Sequence, residues 1–586
     1  MADAASKAAL AAFFNGRPQI RQDAQTQASI HLNSPNPALV TQRAAQRLPR
    51  LGLLLLCGAY LLPGLLGRDP WKSADISAFG YMVNIAQGRT PWLAPTLGGL
   101  PADSALLPYW LGASFIKFLG PCLDLALAAR IPFLMLLAAV LALTWFTTYH
   151  LARTEAAQPV PFAFGGEAHP VDYARAIADG ALLALIATLG LLQLGHETTP
   201  ELVQLAAVAL YLYALAASPF RSIKPKVSMP LALAALAASG APCMGVVLGA
   251  VGVAICRRSS YANVRSFSWW VIFGIGLAIA VGSALGAWGW RLGSYESISD
   301  IWLEFRLLAW FTWPAWPLAL WTLWRWRHYL FNRHIAVPLG SVLVSLISSL
   351  AMGGSDRALM LGLPALAVLA AFALPTLQRG ASAAIDWFSV SFFTICAVAI
   401  WVVYSSMHIR IPIKPAENLA RLVPGFVPEF SWLALVPAAM ASLAWLWLVR
   451  WRSGRNRHPL WKSLVLPAGG VALCWLLVMT LLLPPLDRAR SYRPLITRIA
   501  NYVPPSECIA APGMPRSQVA ALEYHGQYRV DALRPAYASD CRYLLQLESR
   551  VQAAPTPRGW ELLGRERRNR NEDETTAIYR RSDPSR

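Results

Sequence analysis

The sequence predicts a mainly α-helical, polytopic membrane protein with a small α/β domain at its C-terminal end. Three observations predict it. Of 586 residues, 56% are hydrophobic and only 14% are charged, with a mean hydropathy of +0.42; a soluble chain carries about 25% charged residues. Apolar runs of membrane-spanning length recur from Leu51 to Leu483. From about Pro484 to Arg586 the character changes, to mixed polarity with 17 Arg and no Lys. The 24 tryptophans suit a membrane protein, because indole rings favour the headgroup level.

Residues 1–46 are polar and rich in Ala, Gln and Asn, without the order of a signal peptide, and read as a cytoplasmic extension. The membrane domain follows over 47–483. Hydropathy places about 13 spans near 50–66, 131–150, 176–195, 202–218, 227–239, 242–256, 267–289, 308–324, 335–353, 358–376, 387–404, 431–449 and 463–483. Basic loops orient them. RAAQRLPR, RSIKPK, CRRSS, RWRHYLFNRH, QRG and RWRSGRNRHPLWK all fall on one side when thirteen spans are counted, and that side is read as the cytoplasm. The net charge of +20 is therefore an orienting charge, not a nucleic-acid surface.

Three segments then lie outside: a long first loop from Arg68 to about Arg130, the turn GHETTPE, and the tail 484–586. Loops of this length without a role are uncommon. The first loop holds two aromatic-rich amphipathic stretches, ISAFGYMVNIAQG and LLPYWLGASFIKFLG, which predict helices lying in the membrane interface. In the tail, SECIAAP and CRYLLQLES read as strands and PRSQVAALEYHG as a helix. Six of the eight cysteines lie in or beside spans. Cys508 and Cys541 both fall in the tail, where an oxidising compartment lets them pair; the alternative is two buried thiols.

The acids discriminate between functions. A secondary transporter carries ionisable residues at the midplane. Here they collect at the external surface: Asp69, Asp75, Asp103, Glu197, Glu201, Glu296, Asp300, Glu304 and Asp356, with Asp179 near a cytoplasmic span end. Chemistry is expected at that surface, with Asp69, Asp75 and Asp103 facing one cavity. No Walker loop, dinucleotide glycine pattern or Cys/His metal spacing stands out.

Several segments resemble the polyprenyl-linked glycosyltransferases of the GT-C fold, especially the bacterial aminoarabinose transferases of lipid A and their protein O-mannosyltransferase relatives. RDPWKSADISAFG is similar to that family's acidic motif after the first span, and LAPTLGGLPADSALLPYWLGA to its "P…G…EKPPLYYW" segment. HETTPELVQLAAVALYLYA resembles the start of its fourth span, and GGSDRALMLGLPALAVLAA its "R…LP…ALLAA" span. The motifs are degenerate, but their order and shared side cover most of the chain from Leu51 to Leu483.

The resemblance implies an enzyme of the bacterial inner membrane that moves a sugar, with inversion, from a polyprenyl phosphate to a lipid A, glycan or protein acceptor. It implies Asp75 as the general base with Asp69 as close competitor, and Glu201 as the second acid. Lys72 and Arg357 are implied as phosphate ligands, with His196 and Tyr109 also on the substrate side. Asp103 matches a metal-ligand position, which implies a divalent ion. Ser104 stands where the family has Lys, and Ala105-Leu106 where it has a double proline, so the metal is the least supported of these roles. The alternatives are a non-catalytic flippase or scaffold for envelope glycan, and an O-antigen ligase or polymerase.

Overall fold

A computed structural model describes residues 36–71, 73–102, 105–289, 293, 298–453, 459–549, 557–568 and 574–582. A helix, or a broken run of helices, stands at each of the thirteen apolar stretches. Among the described residues seven helices are long and apolar enough to cross a membrane: Leu125–Ala152, Pro200–Ala217, Ala262–Ala284, Arg333–Ala351, the stretch Gly380–Ile409, Trp432–Arg452 and Lys462–Leu481. Three expected spans are interrupted. Pro170–Ala187 gives way to Leu189–Leu194 at extended Thr188. Ile298–Phe311 and Ala315–Arg325 meet at Pro314, which lacks the N–H a continuous helix needs. Asp356–Met360 and Leu363–Ala371 share the third. The first helix, Arg50–Leu61, is only 12 residues long, about 18 Å at 1.5 Å per residue, and ends in turns around Gly64 and Gly67.

Residues 36–48 are not a loose extension. Val160 and Ala168 donate backbone N–H bonds to Ala38 and Val40, and Leu460 N–H to Ala44 O. Trp461 Nε1 donates to Gln46 O at 2.7 Å. Asp179 accepts from Leu48 N at 3.0 Å and Trp145 Nε1 at 2.8 Å. This strap ties the helices Leu125–Ala152 and Pro170–Ala187 to Lys462–Leu481 at one end of the bundle. Acids at this end serve structure, as Asp172 does with Arg47 and Asp386 with Arg452.

The other end carries the C-terminal domain. Its sheet runs β4-β3-β5-β7-β6, with β3 Cys508–Ala510, β4 Arg529–Asp531, β5 Tyr543–Ser549, β6 Trp560–Glu566 and β7 Glu574–Arg581. β3 is parallel to β4 and β5; β7 is antiparallel to β5 and β6. Both predicted strands and the predicted helix, Arg516–His525, are present, and Cys508 and Cys541 form a disulfide.

The two amphipathic stretches of the first loop are the helices Ala74–Ala86 and Leu106–Leu119, joined through a short hairpin, β1 Thr96–Leu97 and β2 Leu100–Pro101. The first of them is covered by protein. Ala74–Ala86 is buried from Asp75 to Ile85 apart from Ser77, because the C-terminal domain sits on it. A Cβ on Gly80 would lie 2.7 Å from Ala520 Cβ, so only glycine allows this approach. Glu523 completes the contact, accepting Gly98 N–H at 2.9 Å and Asn84 Nδ2 at 2.7 Å.

Candidate active site

Four segments distant in sequence converge where the helical domain meets the C-terminal domain: 68–75, 195–201, 355–357 and 487–493. The first begins as the chain turns through Gly67 at φ +68° and re-enters a helix past Ser73, held at φ +78°. That turn points Asp69 and Asp75 in different directions.

Asp75 points inward and is 1% exposed. One carboxylate oxygen accepts Thr198 N–H at 2.8 Å and Thr198 Oγ1 at 2.7 Å. The other accepts Trp71 N–H at 3.0 Å and lies 3.6 Å from Arg68 Nη2. Burial alone would raise its pKa, but Arg68, Arg130 and the Thr198 bonds outweigh burial and hold it below the usual carboxylate range. A carboxylate so enclosed and saturated has no lone pair facing an incoming hydroxyl. The expectation that Asp75 shares an open cavity with Asp69 is corrected: it fixes the turn 195–201 to the first loop.

Asp69 points toward the C-terminal domain. Its Oδ2 accepts Ser491 Oγ at 2.8 Å and Arg493 Nε at 2.8 Å, and its Oδ1 accepts Arg493 Nη2. Burial pushes its pKa up, and the bonds from Arg493 and Ser491 more than reverse this. Asp487 Oδ1 accepts both Asp69 N–H and Trp71 Nε1 at 2.9 Å. Trp71 in turn lies between two cations, with Arg68 4.7 Å and Arg490 4.9 Å from its ring centroid.

Behind this pair lies buried positive charge. Arg68 Nη2 donates to His196 O at 2.8 Å, while its Nε and Nη1 have no partner among the described residues. Arg130 is 5% exposed and reaches only Leu65 O, at 3.5 Å, among the described residues. It lines a narrow cleft whose walls include Leu61, Leu65, Phe133, Leu137 and His196. A buried guanidinium is costly unless paired, and among the described residues Asp75 is the one carboxylate paired with Arg68.

The other predicted residues sort as follows. Arg357 donates to Glu197 at 2.6 Å and to Glu201 at 3.2 Å, so two carboxylates already neutralise it. His196 has its ring nitrogens 2.7 Å from Leu192 O and 2.9 Å from Tyr60 O; it locks the end of Arg50–Leu61 to Leu189–Leu194. Tyr109 is buried against Tyr81, ring centroids 5.1 Å apart, in the first loop. Lys72 and Asp103 lie outside the described residues. Among the described residues no group of three or more His, Cys, Asp and Glu is placed to hold a metal ion, so no step below is routed through one.

Sequence reasoning missed Arg130, Asp487, Arg490, Ser491 and Arg493. A signal was present: PPLDRARSYRP follows the last apolar run as RDPWKSAD follows the first, and both set Asp and Arg close after it.

No protein-family model and no curated protein matches this sequence. Solved structures do. The chain is similar to ArnT from Cupriavidus metallidurans bound to undecaprenyl phosphate, with TM-score 0.57 and 12% identity over 90% of this chain and 98% of that one. It is likewise similar to ArnT from the same organism in the apo state, with TM-score 0.55 and 12% identity over 90% and 96%. Identity this low speaks for architecture alone: the chain shares the fold of ArnT, the GT-C fold that the sequence resemblance implied.

Proposed function

We propose that the protein is an inverting glycosyltransferase that moves a sugar from a polyprenyl phosphate to an envelope acceptor at the external membrane face. One observation carries the reading. Asp69, whose side chain is 14% exposed where that of Asp75 is 1%, is linked through Asp487 and Trp71 to Arg68, a buried guanidinium with two nitrogens unpartnered among the described residues. The fold adds support, since a protein sharing it was solved with undecaprenyl phosphate.

In this reading the base is Asp69, the competitor named from the sequence, and Asp75 is a positioning residue. The acceptor hydroxyl attacks the anomeric carbon and passes its proton to Asp69. The bond from that carbon to the phosphate oxygen breaks, and the electron pair leaves on the phosphate. Arg130, Arg68 and Lys72 stabilise that charge, which is worth most in a dry site with fixed donors. Glu201, Glu197 and Arg357 form the wall opposite. Lipid A, a glycan and a protein all stay in the acceptor class. A divalent ion held through Asp103 is a further proposal; chelation should then lower turnover, and added divalent ion should partly rescue Asp103→Asn.

The test is transfer in proteoliposomes, reading both the glycosylated acceptor and the released polyprenyl phosphate. Asp69→Asn should lower transfer by about 100-fold or more, the scale of lost general-base help, while donor binding persists. Arg130→Gln should weaken donor binding instead. A folded Asp69→Asn protein with normal transfer would overturn the assignment. A protein that binds the lipid without ever releasing sugar would favour the flippase or scaffold reading.

A further inference from the structure

Asp69 is poorly placed to work in the arrangement described. Arg493 spans both of its oxygens and Ser491 adds a third donor. Lone pairs held by a guanidinium are not open to a hydroxyl, and the same bonds hold the carboxylate's proton affinity down. Something must move before Asp69 accepts a proton.

The two partners are unequally held. The Asp69 side chain is 14% exposed and that of Arg493 is 61% exposed. Asp69 sits on a fixed backbone: its N–H and the Trp71 indole share Asp487 Oδ1, and Arg490 lies over Trp71. Arg493 opens the helix Arg493–Ile499 of the C-terminal domain, and among the described residues its side-chain bonds go to Asp69 alone. The grip is two-pronged, yet the guanidinium that leaves it passes into water, because its side chain already stands largely in solvent. The acid is the rigid half and the cation is the movable one. His525 and Tyr524, at the end of the helix Arg516–His525, flank the same carboxylate from the C-terminal domain.

We propose that Arg493 is a specificity-determining residue: it covers Asp69 against water and yields it only to an acceptor that enters the space the arginine fills. This rests on Asp69 being the base. The reaction suppressed is donor hydrolysis. There, water oxygen attacks the anomeric carbon, the bond to the phosphate oxygen breaks, and Asp69 takes the water proton. The products are free sugar and polyprenyl phosphate.

The experiment uses the full-length protein in proteoliposomes with undecaprenyl-phosphate-linked aminoarabinose or mannose as probe donors and no acceptor, and it measures free sugar. Arg493→Ala should raise hydrolysis at least about 10-fold, part of the 100- to 10,000-fold range open to a general base. Arg493→Lys, which keeps the charge but loses the two-pronged grip, should raise it less. Adding Asp69→Asn to Arg493→Ala should cancel the rise. A folded Arg493→Ala protein whose hydrolysis stays at the wild-type level overturns the proposal, even where Asp69→Asn abolishes transfer. A rise that survives Asp69→Asn also overturns it, because the base is then elsewhere. Should Arg493→Ala fail to fold, Arg493→Lys decides alone, and no rise counts against the proposal. If Asp69→Asn changes neither transfer nor hydrolysis, the reading of Asp69 falls first and this falls with it.

Discussion

Asp75 and Asp69 lie six residues apart and answer differently to the same change. Asp75→Asn would strip the buried Arg68 of its counter-charge, and breaking a buried pair from one side costs on the order of 3–5 kcal/mol. A clearly lower melting temperature is therefore expected for Asp75→Asn, with activity per folded molecule largely kept; a full-stability, dead variant would return the base to Asp75. The histidines set a pH dependence. Burial lowers the pKa of His525 from 6.5 to about 4, with Arg493 adding to burial and Asp69 opposing it. Between those values the unfolded chain takes a proton that the folded one refuses, so stability falls as pH drops from about 6.5 toward 4. At pH 5 this one group removes about 2 kcal/mol. Melting curves at pH 7 and pH 5 should differ accordingly, and His525→Gln should narrow the gap. Asp75 adds nothing to this window: its folded pKa is depressed, so its contribution is complete above about 3.9 and is lost only at lower pH.

At the scale of elements, the decisive contact is the C-terminal helix Arg516–His525 seated on the first loop. Gly98 has φ +57°, and a Cβ there would lie 2.6 Å from Val519 Cγ1. Gly98→Ala should cost about 1–3 kcal/mol by overpacking and loosen the C-terminal domain, seen as faster proteolysis of the tail. Gly88 is the control. It too has positive φ, but nothing lies within 4 Å of its Cβ position, so Gly88→Ala should carry backbone strain without undocking. The disulfide closes 33 residues between Cys508 and Cys541, worth about 3–4 kcal/mol in the chain-entropy model. Mass spectrometry without reductant should find the bridged peptide pair, and reduction should lower the stability of this domain.

At the scale of the whole molecule, the two ends of the bundle have divided roles. The end bearing the strap uses its acids to fasten loops, as Asp179 does with Leu48 and Trp145. The end under the C-terminal domain gathers Asp69, Glu197, Glu201, Arg357 and Asp487. From the basic-loop pattern we propose that the end under the C-terminal domain faces out. A reporter fused after Arg586 should be active only outside the cytoplasm, and one inserted near Arg455 only inside. Two reporters on one side would break the thirteen-span count.

Much was legible in the sequence, because hydropathy and span length act locally. The helical stretches, the tail's helix and two of its strands could be read from composition and pattern. So could the candidate pair Asp69 and Asp75, since both follow the first span. Which of the pair is reachable could not be read. That depends on Thr198, Arg68 and Arg130 closing around one carboxylate, and on Ser491 and Arg493 reaching the other from over 400 residues away. The same holds for Arg357, whose charge looks available until Glu197 and Glu201 are folded against it. Sequence alone determined where the apolar helical stretches fall and which charges lie between them. Tertiary structure decided which of those charges are spent on one another, because pairing and burial are set by contacts between segments that local pattern does not connect.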